Sequence, residues 1–266
     1  MKRLGTRIGR NAVVFGIAVS VWIVAAPAAF AQQTGSGMKG YWNGDDGTSP
    51  TTAADSSGNL FNGTYQNGAT TSTSVPTLLF PDPTSMTFNG SNSSVSIPSF
   101  TFDGTGPVTI AFWNFVATAN VQNSSAFSIG NQDAPNRCQA HAPWSDKWIY
   151  WDYGNYNTNS GRVSANYTTY LDKWTHVALV STGSGGAFQG IYLDGVLAVS
   201  STTPVGPTVT FTGATLGAWT GAGLYHKGGI DDFRIYNRVL SAQDISALAA
   251  GNCGPAAPTG LAGVPG

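Results

Sequence analysis

Short apolar runs alternate along this chain with clusters of Gly, Asn, Asp, Ser and Pro, roughly 8 to 15 residues apart. Runs of this length bounded by turn residues read as strands. They predict strands over 86–88, 95–97, 108–116, 126–129, 148–153, 175–181, 190–193, 196–200, 208–211 and 229–236. Asp194-Gly195 sits between two of them and predicts a two-residue hairpin loop, because a type I′ turn needs the positive φ that Asp and Gly tolerate. Many short strands punctuated by turns imply an all-β sandwich or jelly roll.

One helix is expected, and it comes last. Ser241 can cap its first N–H groups, Asp244 stands three residues on, and Leu240 and Ile245 are spaced as a hydrophobic staple. Gly251 ends it, and Ile245 with Leu248 gives one apolar stripe to pack on the sandwich.

Composition sharpens this picture. Only 9% of residues are charged, 34 are Gly, and all 13 acidic residues are Asp, so the Glu and Lys that usually fill exposed helix faces are scarce. Lys2, Arg3, Arg7 and Arg10 precede an apolar run over 12–26 and then Pro27, Ala29, Phe30 and Ala31, the order of a signal peptide. The run is shorter than the ~20 residues that span a bilayer, although a retained, tilted anchor is the alternative. The expected organisation is a signal peptide over 1–31 cleaved near Ala31, a flexible leader over 32–38 and a folded domain over 39–253. Secretion to the cell surface, periplasm or medium follows. Cleavage leaves eight Lys and Arg against 13 Asp, a formal charge of −5, which recruits no nucleic acid; no later segment is apolar enough to enter a membrane. In an oxidising compartment Cys138 and Cys253 could pair, or one could be a buried free thiol.

Four ordered segments carry a family resemblance. Trp42-Asn43-Gly44-Asp45-Asp46-Gly47, with Asp55-Ser56-Ser57-Gly58-Asn59 and Asn62-Gly63-Thr64, resembles the opening strand and turn of a laminin G-like, concanavalin A-like jelly roll. Phe88-Asn89-Gly90-Ser91-Asn92 leading into Val95-Ser96-Ile97 resembles its second block, and Trp174-Thr175-His176-Val177-Ala178 with Ile191-Tyr192-Leu193-Asp194-Gly195 its central hairpin. Gly229-Ile230-Asp231-Asp232-Phe233-Arg234-Ile235-Tyr236 through Ser241 resembles its closing strand and helix. The resemblance implies a two-sheet antiparallel jelly-roll sandwich with one short C-terminal helix, in a module that commonly binds glycans or proteins and often holds a structural calcium. Residues 254–266, with Pro258-Thr259-Gly260-Leu261, resemble a linker entering a fibronectin type III domain, or form a plain flexible tail.

Calcium takes six to eight oxygens from carboxylates, amides and turn carbonyls, and such ligands are in surplus here. Asp45, Asp46, Asp55 and Asn59 lie in the N-terminal turns, and Asp231 and Asp232 near the other end. In related folds the aspartate after the Gly-Ile pair is often a ligand, so the expected set is Asp46, Asp55, Asn59 and Asp231. The structural alternatives are a local Asx turn at Asp55 and pairing of Asp231 or Asp232 with Arg234 or Arg238.

Aromatic residues crowd the segment from Trp144 to Tyr156. On a strand, Trp148 and Tyr150 point one way and Ile149, Trp151 and Tyr153 the other, so both faces are aromatic; rings left exposed beside polar groups would suit a sugar, whose C–H faces stack on them, and the alternative is that all of these rings fill a large core. Arg137, His141, Trp144, Tyr150, Asp152 and Trp219 are the candidate ligand-binding residues, with an extracellular glycan or a surface protein as partner. Trp42, Trp113 and Trp174 are expected in the core. Catalysis is disfavoured. Glucanases of this fold use paired glutamates and the chain has none; the adjacent pairs Asp45-Asp46 and Asp231-Asp232 would point to opposite faces of a strand; and His141, His176 and His226 lack zinc spacing.

Overall fold

The computed structural model describes residues 37–133, 135–158 and 161–253. The expected signal peptide over 1–31, all but the end of the leader over 32–38, and the tail over 254–266 lie outside them. The turn-bounded runs become strands with one face turned inward. In Trp148–Gly154, Ile149, Trp151 and Tyr153 are fully buried while Trp148 is 39% exposed.

Two eight-stranded antiparallel sheets result. The back sheet runs in the order Val196–Ser201, Gln189–Leu193, Trp174–Ser181, Val108–Phe115, Lys227–Tyr236, Ser85–Asn89, Thr70–Ser72, with Met38–Trp42 also pairing on Lys227–Tyr236. The front sheet runs Arg162–Asn166, Trp148–Gly154, Arg137–His141, Phe127–Ile129, Thr210–Leu216, Ser94–Asp103, Gly63–Gln66, Thr52–Ala53. This is the two-sheet jelly-roll sandwich that the sequence implies. The hairpin turn at Asp194 (φ 47°) and Gly195 (φ 81°) has the positive angles expected of it.

Between the sheets the core is largely aromatic. Phe233 lies 5.3 Å from Phe112, 5.2 Å from Phe127 and 6.3 Å from Trp42, while Phe100, Phe102 and Phe211 stack in series. The helix Ala242–Ala249 covers part of the back sheet's outer face. Its capping box is complete, with Asp244 N–H donating to Ser241 Oγ at 3.0 Å and Ser241 N–H to Asp244 Oδ2 at 3.2 Å. Leu240, Ile245 and Leu248 pack there on Ala111, Ala178, Val180 and Tyr236. Among the described residues no helix is long and apolar enough to cross a membrane.

Three features depart from expectation. The strand Arg137–His141 carries no apolar run, because its inward residues are the small Cys138 and Ala140 and its outward ones are polar. Trp113 and Trp174, expected in the core, lie on the outer face of the back sheet: Trp113 packs edge-on against His176 at 5.3 Å, and Trp174 is half-buried beside Phe115 at 5.7 Å. Cys138 is a core thiol, and both cysteines are free.

Truncating the most connected ring should open a large cavity. Phe233→Ala is expected to destabilise the domain by about 3–5 kcal/mol, measured by urea unfolding. Burial also pulls the pKa of His176 down to about 3 and that of His226 to about 4, from an ordinary 6.5. Below about pH 6.5 the unfolded chain therefore takes up protons that the folded one does not, and the stability contributed by these neutral imidazoles is lost as pH falls toward 4. The stability difference between the parent protein and His226→Leu should shrink over that window in urea titrations at stepped pH; a constant difference would contradict the burial of a neutral ring.

Candidate functional site

Register across the front sheet places a polar row on its outer face. Arg162 lies opposite Asp152, Asp152 opposite Gln139, Gln139 opposite Ser128, Ser128 opposite Thr215 and Thr215 opposite Ser96. Tyr150 lies opposite His141 one pleat away. Each is outward because its neighbours Trp151, Tyr153, Cys138 and Ala140 are held inward.

Asp152 is the hub, fully buried beneath the surface. It accepts from Arg162 Nε at 2.5 Å and Nη2 at 2.8 Å, from Gln139 Nε2 at 3.3 Å and from Arg137 Nη1 at 3.4 Å. That carboxylate pushes the Arg162 pKa above its ordinary value, against the effect of burial. Arg137 is aligned further by donating from Nε to the Gln132 carbonyl at 3.2 Å.

The two guanidinium groups interleave with rings. Arg137 stands 4.7 Å from the Trp219 ring and 3.6 Å from Tyr156; Arg162 stands 5.4 Å from Tyr156 and 5.1 Å from Tyr150. The series Trp219, Arg137, Tyr156, Arg162, Tyr150 is thus an alternating ladder of rings and cations. Beyond it, His141 meets Trp144 at 4.5 Å. His141 Nδ1 lies 2.8 Å from the Ser124 carbonyl and must donate, while Nε2 accepts from Gln139 at 2.9 Å, which fixes the neutral tautomer; burial lowers its pKa accordingly. Tyr150 donates its hydroxyl to Asp146 Oδ2 at 2.6 Å.

These residues line a depression of about 290 Å³ formed by Arg137, His141, Trp144, Asp146, Tyr150, Arg162, Trp219 and Leu224. Five of the six candidate residues line it, and Asp152 supports it from below. Asp146, Arg162 and Leu224 were not nominated by sequence; the signal for Arg162 is its hairpin register with Asp152. Past Trp219, on the same face, a second depression of about 310 Å³ is lined by neutral groups including Ser96, Ser128, Gln132 and Thr215. The arrangement can stack on a ring and exchange planar hydrogen bonds. Asp152 and His141 already have partners at the atoms an acid or base would need.

The candidate metal ligands separate. Asp55 accepts from Tyr41, Ser57 and Phe61 N–H groups at 2.9–3.0 Å, Asp46 accepts from Ala54 N–H and the Tyr65 hydroxyl, and Asn59 donates to the Met38 and Lys39 carbonyls. All three tie the N-terminal turns together. Asp231 instead groups with Asp45, Asp82 and Asp232. Asp232 has φ 49° at a bulge in Lys227–Tyr236, so the adjacent pair joins one carboxylate group rather than pointing to opposite faces. Burial, with the neighbouring carboxylates adding, pushes the pKa of Asp45 up to about 6, of Asp82 to about 7 and of Asp231 to about 10. Among the described residues the Oδ2 atoms of Asp82, Asp231 and Asp232 are buried without a hydrogen-bond partner, and Arg234 Nη2 stands 3.2 Å from Asp232 Oδ1. Among the described residues, no three His, Cys, Asp or Glu side chains form a ready-made metal site.

No curated protein sequence matches the chain. Among solved structures it is similar to domain 4 of AbnA, a GH43 extracellular arabinanase from Geobacillus stearothermophilus, in complex with arabinotriose, at 18% identity and TM-score 0.55 over 80% of this chain and 98% of that one. It is also similar to the botulinum neurotoxin serotype D ligand-binding domain in complex with N-acetylneuraminic acid (15%, 0.57, 81% of this chain) and to a botulinum neurotoxin DC binding domain in complex with rat synaptotagmin II (15%, 0.56, 80%). The chain spans 51% of each of these two neurotoxin domains. At these identities the likeness is one of fold. A family model described as the concanavalin A-like lectin/glucanases superfamily matches residues 89–246, more than half of the sequence, and the chain belongs to that superfamily.

Proposed function

We propose that the domain is a non-catalytic, extracellular carbohydrate-binding module whose ligand lies on the outer face of the front sheet. The ladder from Trp219 to Tyr150 carries this reading. Its rings offer surfaces for sugar C–H faces, and its arginines are held in place by Asp152, with Arg137 Nη2 and Arg162 Nη1 making no hydrogen bond among the described residues. The neutral depression beyond Trp219 extends the face, which suits an oligosaccharide better than a single sugar. Complexes of two structural neighbours with arabinotriose and N-acetylneuraminic acid support a glycan; a third, with synaptotagmin, supports a protein partner, but the site is a small ring-lined depression with charged side chains among the rings rather than a broad apolar patch.

We also propose a structural calcium at the carboxylate group. The fit rests on the buried Oδ2 atoms of Asp82, Asp231 and Asp232, which have no partner among the described residues, and on a donor set made of hard oxygen; these three carboxylates would hold the ion, and it would supply positive charge where carboxylates crowd.

Binding should be read by calorimetry against arabinotriose, sialyllactose, cellotetraose, xylotetraose and laminaritetraose. Trp219→Ala and Arg162→Ala are each expected to weaken the best ligand at least tenfold, about 1.4 kcal/mol, with no reducing sugar released. Unchanged affinity in both variants would remove the ladder as the binding surface. For calcium, millimolar Ca²⁺ should raise Tm relative to EGTA, and Asp231→Asn should abolish that response. A Tm indifferent to Ca²⁺ in the parent protein would end the metal proposal.

A further inference from the structure

The outer face of the back sheet has its own depression, about 280 Å³, close to the size of the one under the ladder. It lies beside the carboxylate group, at the end of the sheet that the helix does not cover. Register builds it: Trp174 stands opposite Phe115, Phe115 opposite Gly229, and Gly229 opposite Thr87, all on the outward pleat. Phe115 and Trp174 form its aromatic wall, with ring centroids 5.7 Å apart. Gly229 is what lets that wall lean over the sheet. A Cβ at this position would stand 2.6 Å from Trp174 Cη2, so the benzo ring occupies space that any other residue would fill.

Around the rings stand the Thr87 hydroxyl, the Asn120 amide and the Lys227 ammonium, none of which makes a hydrogen bond or ion pair within the described residues. An aromatic wall rimmed by a few converging, unengaged polar groups is the composition of a small-ligand pocket. These groups offer donors and acceptors to hydroxyls and a ring surface to C–H groups. They include no carboxylate and no paired guanidinium, so the chemistry differs from that of the ladder.

We propose that this depression is a second saccharide-binding pocket and that the module is bivalent, with sites opening from opposite faces of the sandwich. The assignment rests on the carbohydrate reading of the first face. One sugar ring packs on Phe115 and Trp174, and its hydroxyls reach Asn120, Thr87 and Lys227. Two sites facing away from each other cannot both grip one short oligosaccharide, so they bridge separate chains.

The test uses Trp219→Ala, which disables the first face, against the same five oligosaccharides. It is expected to keep binding at least one of them with a stoichiometry of one. That binding should fall at least tenfold on adding Trp174→Ala, or Asn120→Ala, which sits on a surface turn and keeps the test open should the tryptophan variant fail to fold. The parent protein should cross-link the matching polysaccharide into a precipitate, and either single-site variant should not. If Trp219→Ala binds nothing while the parent binds with a stoichiometry of one, the second pocket is overturned and the first face stands. If the parent binds none of the five, the carbohydrate reading falls and takes this inference with it.

Discussion

Burial of Trp151 and Tyr153 against the facing sheet decides which way Tyr150 and Asp152 point, because side chains on a strand alternate with period two. A slip of one residue in Trp148–Gly154 would drive a carboxylate into the core and two large rings into water. The same lock acts on Arg137–His141, where Cys138 and Ala140 must face inward. Two neighbouring strands held this way present Arg137, Gln139, His141, Tyr150 and Asp152 as one surface. The ladder is therefore a by-product of core packing, and its spacing is that of the strands beneath it.

Within that surface Asp152 does for the arginines what the core does for the strands. A carboxylate withdrawn from water is costly unless charge-assisted hydrogen bonds replace its hydration, and here four donors do so. In return, two long side chains that would otherwise sample many rotamers are held in stacking distance of Trp219, Tyr156 and Tyr150. The opposite arrangement holds around Asp231, where carboxylates crowd beside one arginine and several oxygens lack donors. One buried acid is satisfied and positions its neighbours; the other group is under-satisfied.

Much of the sandwich was legible in the sequence because turn residues punctuate the chain so regularly. The Asp-Gly hairpin, the Ser241 cap and the closing strand all lie where local rules place them. The misplacement of Trp113 and Trp174 has a physical cause. Val108–Phe115 and Trp174–Ser181 are each buried along nearly their whole length, in part because the helix residues Ile245 and Leu248 cover Ala111, Ala178 and Val180 on the outer face, so alternation vanishes and no pattern tells inside from outside. The ladder was partly legible, since Arg137, His141, Trp144, Tyr150, Asp152 and Trp219 stand out as aromatic and polar residues near one another or on a candidate strand. Arg162 did not stand out because its partner lies 10 residues away across a hairpin. Asp82 sits in an irregular Pro-flanked segment, where no period links it to Asp231. Asp55, Asp46 and Asn59 show the limit of composition: ligand-type residues in turns spend their oxygens and amides on backbone first.

The front face is nearly balanced in charge. Arg137 and Arg162 are set against Asp152 and Asp146, His141 is neutral, and the neighbouring depression contains only hydroxyls and amides among its polar side chains. Little field extends into solvent, so a partner arriving here is not steered from a distance and recognition begins only at contact. For the glycan binding proposed above, encounter would then be indifferent to salt, and grip would depend on shape and stacking rather than on ionic attraction. Under that proposal the face would keep its grip on a neutral glycan where ionic strength fluctuates.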